Sequence, residues 1–140
     1  MHIRIFALAG LGVILIGGAA LAQAPKRSTL DGVYSAAQAG RGKAQFEAHC
    51  AKCHSANLAG SDVAPPLTGK DFFANWELLT VNDLVDKIHT QMPMDNPGSL
   101  GLPTATDIAS YILSRGGLPA GAAELPADSK AQAQIVIKTH

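Results

Sequence analysis

Cys50-Ala51-Lys52-Cys53-His54 sets two thiols three positions apart and an imidazole next to the second, in a chain of 140 residues. A Cys-x-x-Cys pair on its own supports thiol–disulfide exchange. The adjoining histidine points to a different chemistry, covalent attachment of a haem. Two thioether bonds would form to the porphyrin vinyl groups, and the imidazole would ligate the iron from the proximal side. On a helical turn the three residues fall at i, i+3 and i+4 and share one face. No other cysteine occurs in the chain, so attachment accounts for both thiols. A thioredoxin-like dithiol protein needs a βαβ context around the pair, and no strand pattern surrounds this one.

An iron held by His54 has a sixth position, and its occupant decides what the site does. A methionine thioether raises the reduction potential and completes six-coordination, closing the iron to substrate and oxygen. A labile ligand would instead leave it open to peroxide, CO or NO, as in a sensor or a peroxidase-like protein. The candidates are Met92, Met94, His49 and His89. Met92 stands where a helical pattern gives way to Met92-Pro93, some forty residues beyond His54. Pro93 restricts Met92 to extended backbone and removes one donor. Met94 lies two residues on, and in extended chain i and i+2 point the same way, so spacing leaves both methionines open. His49 adjoins Cys50 and cannot reach the opposite face of the ring. His89, three residues before Met92 on a helix, would give a His/His iron of lower potential.

These residues need elements to position them. A helical segment over 35–48, rich in alanine, runs into the motif, with Gly40 and Gly42 weakening it by roughly 1 kcal/mol each against alanine. That cost suggests close approach by another backbone or helix, the alternative being a dispensable surface helix. The segment from Ser55 to Lys70 contains Gly60, Pro65, Pro66 and Gly69, and reads as an irregular loop. Asp71 then caps a short turn through Trp76. Thr80 with Asp83 three residues on predicts a helix start. Leu84, Val85 and Ile88 supply its apolar face, and Met92-Pro93 ends it. A loop from Pro93 to Pro103 leads to a last helix predicted from Thr104 and stopped by Gly116-Gly117. Residues 23–32 read as a flexible lead-in, and 119–140 as a surface tail with one weak turn near Asp128 to Ile135.

Residues 1–22 read as a secretory signal peptide. Arg4 gives a positive start, Ile5 to Ile16 an apolar run, and Ala20-Leu21-Ala22 a small-x-small cleavage pattern. The competing reading is an uncleaved anchor, since Ile5 to Ala22 approaches spanning length. Cleavage would leave no membrane span and would place the domain in the periplasm, an oxidising compartment in which haem attachment is expected in bacteria. Loss of Arg4 from 11 basic residues leaves 10 against 11 acidic ones, a formal charge of −1. Nucleic-acid binding would call for a basic patch or stripe, and none is present. Beyond the leader the aromatics number six, namely Tyr34, Phe46, Phe72, Phe73, Trp76 and Tyr111. A buried porphyrin would supply apolar surface that these side chains do not.

Taken together, CAKCH, APPLTG, a Met-Pro loop and a C-terminal helix bearing an aromatic resemble a class I cytochrome c over roughly Val33 to Leu118. More narrowly, YSAAQAGRGKAQF, MPMDNPGSL and DIASYILSRGGLPAG resemble bacterial periplasmic monohaem cytochromes and haem domains, some of which accompany quinoprotein or molybdenum dehydrogenases. The resemblance implies an all-α, cytochrome c-like fold of three to five helices wrapped around one covalent haem c, with the haem domain at 33–118. It implies that Cys50 and Cys53 hold the porphyrin and that His54 is the proximal ligand. A carbonyl at Pro65 would accept the Nδ1–H of His54, and Leu67 would line the pocket. Met92 rather than Met94 would be the distal ligand, and Phe46 and Tyr111 would mark the crossing of the first and last helices. The family's usual glycine before the proline is Ala64 here, which leaves the acceptor carbonyl open between Pro65 and Pro66. Lysines near the motif are few (Lys43, Lys52 and Lys70), so a strong positive docking ring is not expected. Trp76 would either bond a propionate or pack on the ring. The implied function is electron carriage, not enzymatic turnover, between a periplasmic dehydrogenase and a downstream cytochrome or terminal oxidase.

Overall fold

Ser35 opens the first long helix, α1 (Ala36–His49), its side-chain oxygen accepting the Gln38 N–H at 3.1 Å as a helix start requires. The computed structural model describes residues 27–140, so the leader assigned to 1–22 lies outside the described residues. A four-residue helix, α2 (Ala51–His54), follows at once and carries the attachment motif. After the Pro-rich loop come α3 (Lys70–Trp76) and α4 (Val81–Gln91). The start of α4 is a reciprocal cap, with Thr80 N–H donating to Asp83 Oδ2 at 2.7 Å and Asp83 N–H to Thr80 Oγ1 at 3.3 Å. The last long helix, α5 (Leu102–Arg115), begins two residues before Thr104. Pro103 fits that first turn because a proline there forfeits no intrahelical bond. Val81, Leu84, Val85 and Ile88 of α4 and Ala105, Ile108, Ala109 and Ile112 of α5 form the centre of the core.

The crossing of α1 and α5 fixes the frame. At Gly42 a Cβ would lie 1.8 Å from the Asp107 carbonyl oxygen and 3.0 Å from the Tyr111 Cβ, whereas at Gly40 it would meet nothing within 4 Å. The close approach suggested by the two glycines therefore belongs to Gly42. One turn further on, Phe46 and Tyr111 pack with ring centroids 5.5 Å apart and planes at 54°, an arrangement aromatic pairs favour.

Both ends of the described chain depart from expectation. Of residues 23–32, read as a flexible lead-in, 23–26 lie outside the described residues and the rest are held in place: strand β1 (Arg27–Ser28) pairs in parallel with β2 (Ile135–Val136), and Thr29 is fully buried. The segment 119–140, read as a surface tail, contributes Leu125, Ile135 and Ile137 to the core and forms a short helix, α6 (Ser129–Gln132). Thr29 Oγ1 donates to the Lys138 carbonyl at 2.6 Å and accepts its N–H at 2.9 Å. Gln38 exchanges two hydrogen bonds with the backbone of Leu125 at 2.9 and 2.8 Å. These apolar residues enter the core singly between turns, so they carry no period. Ile137→Ala is expected to cost about 2–4 kcal/mol of stability, as for other fully buried isoleucines. A residue on a surface tail would move stability by less than about 0.5 kcal/mol, a difference that thermal unfolding resolves.

Among the described residues no helix is long and apolar enough to cross a membrane.

Candidate haem site

The motif sits on a helix that restarts. The Cys50 N–H closes α1 on the Phe46 carbonyl at 2.8 Å, and the Cys50 carbonyl then accepts Cys53 N–H at 3.1 Å and His54 N–H at 3.0 Å. Cys50, Cys53 and His54 are thereby brought to one turn, with both cysteines as free thiols. Burial, with a smaller contribution from the neighbouring Cys53, pushes the Cys50 thiol up to about 11. A dithiol oxidant needs the opposite, a thiolate favoured near neutral pH. Cys50 is therefore not the activated thiol that such exchange calls for.

His54 is buried, at 9% exposure. Its Nδ1–H donates to the Pro65 carbonyl at 2.8 Å, so the acceptor is Pro65 and not Pro66. With Nδ1 carrying the proton, Nε2 keeps its lone pair, and it has no hydrogen-bond partner among the described residues. A bond of this kind orients a ligating imidazole and makes it more basic. The loop that delivers the carbonyl is folded tightly. Ser55 and Leu58 adopt positive φ (62° and 63°), and Leu58 is fully buried beneath the loop. Ser61 Oγ donates to the Cys53 carbonyl and Ser55 Oγ to the Gly60 carbonyl, each at 2.6 Å. Gly60 has φ +78°, and a Cβ there would stand 2.6 Å from Pro66 N and 2.7 Å from the Pro65 carbonyl carbon. From sequence, Ser55 and Gly60 stand only as members of an irregular loop, Ser61 is not distinguished at all, and none of the three is assigned a part in the site. The signal was a lone glycine between two serines in a loop with no period.

Leu67 is half-buried against the core and donates its N–H to the Leu58 carbonyl at 2.9 Å. Trp76, also half-buried, packs on Phe72 with centroids 6.0 Å apart, and its indole N–H has no partner among the described residues. Met92 ends α4 in extended backbone (φ −121°, ψ 154°), half-buried, with its N–H on the Ile88 carbonyl at 3.3 Å. Met94 is 78% exposed. The His89 ring turns to the backbone, its Nδ1 2.7 Å from the Leu100 carbonyl, and His49 closes α1 beside the motif. An ion pair joins Lys52, inside the motif, to Asp95, three residues past Met92. Each partner favours the charged state of the other, raising the Lys52 pKa and lowering that of Asp95.

The family model for cytochrome c oxidase, cbb3-type, subunit III matches residues 37–112, more than half of the chain. A search of curated proteins finds no match. Among solved structures, the sulfane dehydrogenase SoxCD from Paracoccus pantotrophus is similar at 23% identity and a TM-score of 0.51, over 70% of this chain and 52% of that one. This likeness is one of fold, and the chain spans about half the length of that relative. Haem c is the cofactor of the matched family, and the donor set described above fits it. Two unpaired thiols share a turn with an imidazole whose second nitrogen is already engaged by Pro65. The chain belongs to the family of cbb3-type cytochrome c oxidase subunit III, and is an all-α c-type cytochrome that carries electrons.

Proposed function

We propose that the chain is a periplasmic monohaem cytochrome in which Cys50 and Cys53 would hold the haem c and His54 and Met92 would ligate its iron. When bound, the haem supplies a one-electron iron couple. The two thiols would fix the ring's position, and His54 would present Nε2 in one orientation because its other nitrogen is committed. The observation that carries this reading is the 2.8 Å contact from His54 Nδ1 to the Pro65 carbonyl. A buried histidine serving only as core filler would find partners for both ring nitrogens, whereas His54 is buried with its Nε2 unpartnered among the described residues. Leu67 would wall the site against water, and Met92, half-buried at the end of α4, would cover the far side. No nucleophile or acid–base pair is required for such a task. The likeness to a sulfane dehydrogenase supports a dehydrogenase as donor, with a downstream cytochrome or terminal oxidase as acceptor.

Expression in a bacterial periplasm with haem-attachment machinery tests the proposal. The wild-type chain is expected to keep haem stain through a denaturing gel, and the Cys50→Ala/Cys53→Ala variant to lose it. A potentiometric titration should then follow a one-electron slope of about 59 mV per decade. Rapid CO binding by the reduced protein at neutral pH would instead identify an open iron and overturn the carrier reading.

A further inference from the structure

The attachment turn and the methionine loop face each other across a groove instead of packing together. The groove holds about 340 Å³, with His49 and Lys52 on one wall and Pro93, Asp95, Asn96 and Leu100 on the other. One ion pair spans it, from Lys52 to Asp95, with side chains 60% and 56% exposed. Lys52 lies between Cys50 and Cys53, and Asp95 lies three residues beyond Met92. The other ion pairs among the described residues tie α1 to Asp107, to Glu124 and to itself, and none reaches this loop. The far end of the loop has its own anchors, the buried Leu100 and the His89 contact to the Leu100 carbonyl at 2.7 Å. Between them the chain bonds only to itself, Asn96 N–H to the Pro93 carbonyl at 2.9 Å and Ser99 N–H to the Asn96 carbonyl at 3.3 Å. The Lys52–Asp95 pair is therefore the one side-chain tie between the near half of the loop and the attachment turn among the described residues.

We propose that Lys52 and Asp95 are positioning residues for Met92: their ion pair clamps the methionine loop to the attachment turn and sets how often the sixth position opens. This rests on Met92 being the distal ligand. A ligand from solution must wait for the loop to swing away, so its apparent affinity scales with the open fraction. Breaking the clamp raises that fraction by the equilibrium factor an exposed pair supplies, about two- to fivefold.

Imidazole titration of the ferric holoprotein, followed by visible absorption, reads this factor. At an ionic strength of about 0.01 M, where screening extends to about 30 Å, Asp95→Asn and Lys52→Gln are each expected to bind imidazole about two- to fivefold more tightly than wild type. The charge-reversed Lys52→Glu/Asp95→Lys variant is expected to return to the wild-type value. At about 1 M salt, where screening falls to about 3 Å, wild type and Asp95→Asn should converge. A role confined to folding would show neither the reversal nor the convergence. Met92→Ala separates the two ideas. It should bind imidazole far more tightly than wild type and be indifferent to a further Asp95→Asn change. If Met92→Ala leaves imidazole binding unchanged, the ligand assignment fails. If it tightens binding while Asp95→Asn matches wild type at low salt, the clamp alone is overturned.

Discussion

Met92→Ala is expected to abolish the weak red-edge absorption of sulfur-ligated ferric haem and to lower the reduction potential. Met94→Ala should leave both unchanged. The drop should be on the order of 0.1–0.2 V, a fraction of the roughly 0.8 V range that axial ligation commands. The argument is geometric. Spacing alone put the two sulfurs on one side of an extended strand, which left them tied. The chain does not stay extended, because Asn96 N–H bonds back to the Pro93 carbonyl at 2.9 Å and closes a turn at Pro93. That turn leaves Met92 half-buried at the end of α4 and sends Met94 to 78% exposure. Redox titration of the two single variants reads the difference directly. A lowered potential in Met94→Ala with a wild-type potential in Met92→Ala would reverse the assignment.

The same contrast between local and distant information explains what could be read from sequence. The attachment motif is local, since Cys50, Cys53 and His54 lie within one turn and their types alone suffice. The cap at Thr80 is local too, satisfied three residues away at Asp83, whereas Ser35, read as part of the helix, caps it instead. Choosing between the Pro65 and Pro66 carbonyls depends on a fold-back closed by Ser55, Gly60 and Ser61, which no spacing rule encodes. The ends of the chain are the extreme case. Thr29 finds its partner 109 residues away at Lys138, and Gln38 finds Leu125 after 87. Strands of two residues are too short to show alternation, so β1 and β2 left no pattern to detect. Gly40 and Gly42 looked alike in sequence, and only the path of α5 distinguishes them.

That last distinction gives a second large effect. The same substitution, made two residues apart on α1, should change stability in opposite directions. Gly40→Ala meets nothing within 4 Å, so it should keep the ordinary helical advantage of alanine, a gain of about 0.5–1 kcal/mol. Gly42→Ala has the same intrinsic advantage but sets a Cβ 1.8 Å from the Asp107 carbonyl oxygen. Backbone cannot rotate aside as a long side chain does, so α1 and α5 must separate. The cost should reach about 3 kcal/mol, at the upper end of overpacking, and depress the melting temperature by roughly 10 °C or more. Phe46 moves with α1 away from Tyr111, and Cys50 moves too, because its N–H is held by the Phe46 carbonyl at 2.8 Å. Gly42→Ala should therefore shift the visible spectrum of the holoprotein as well as its melting point, whereas Gly40→Ala should leave the spectrum alone. Equal melting temperatures for the two variants would mean that α1 and α5 do not touch at Gly42, and the frame that positions the attachment turn would have to be redrawn.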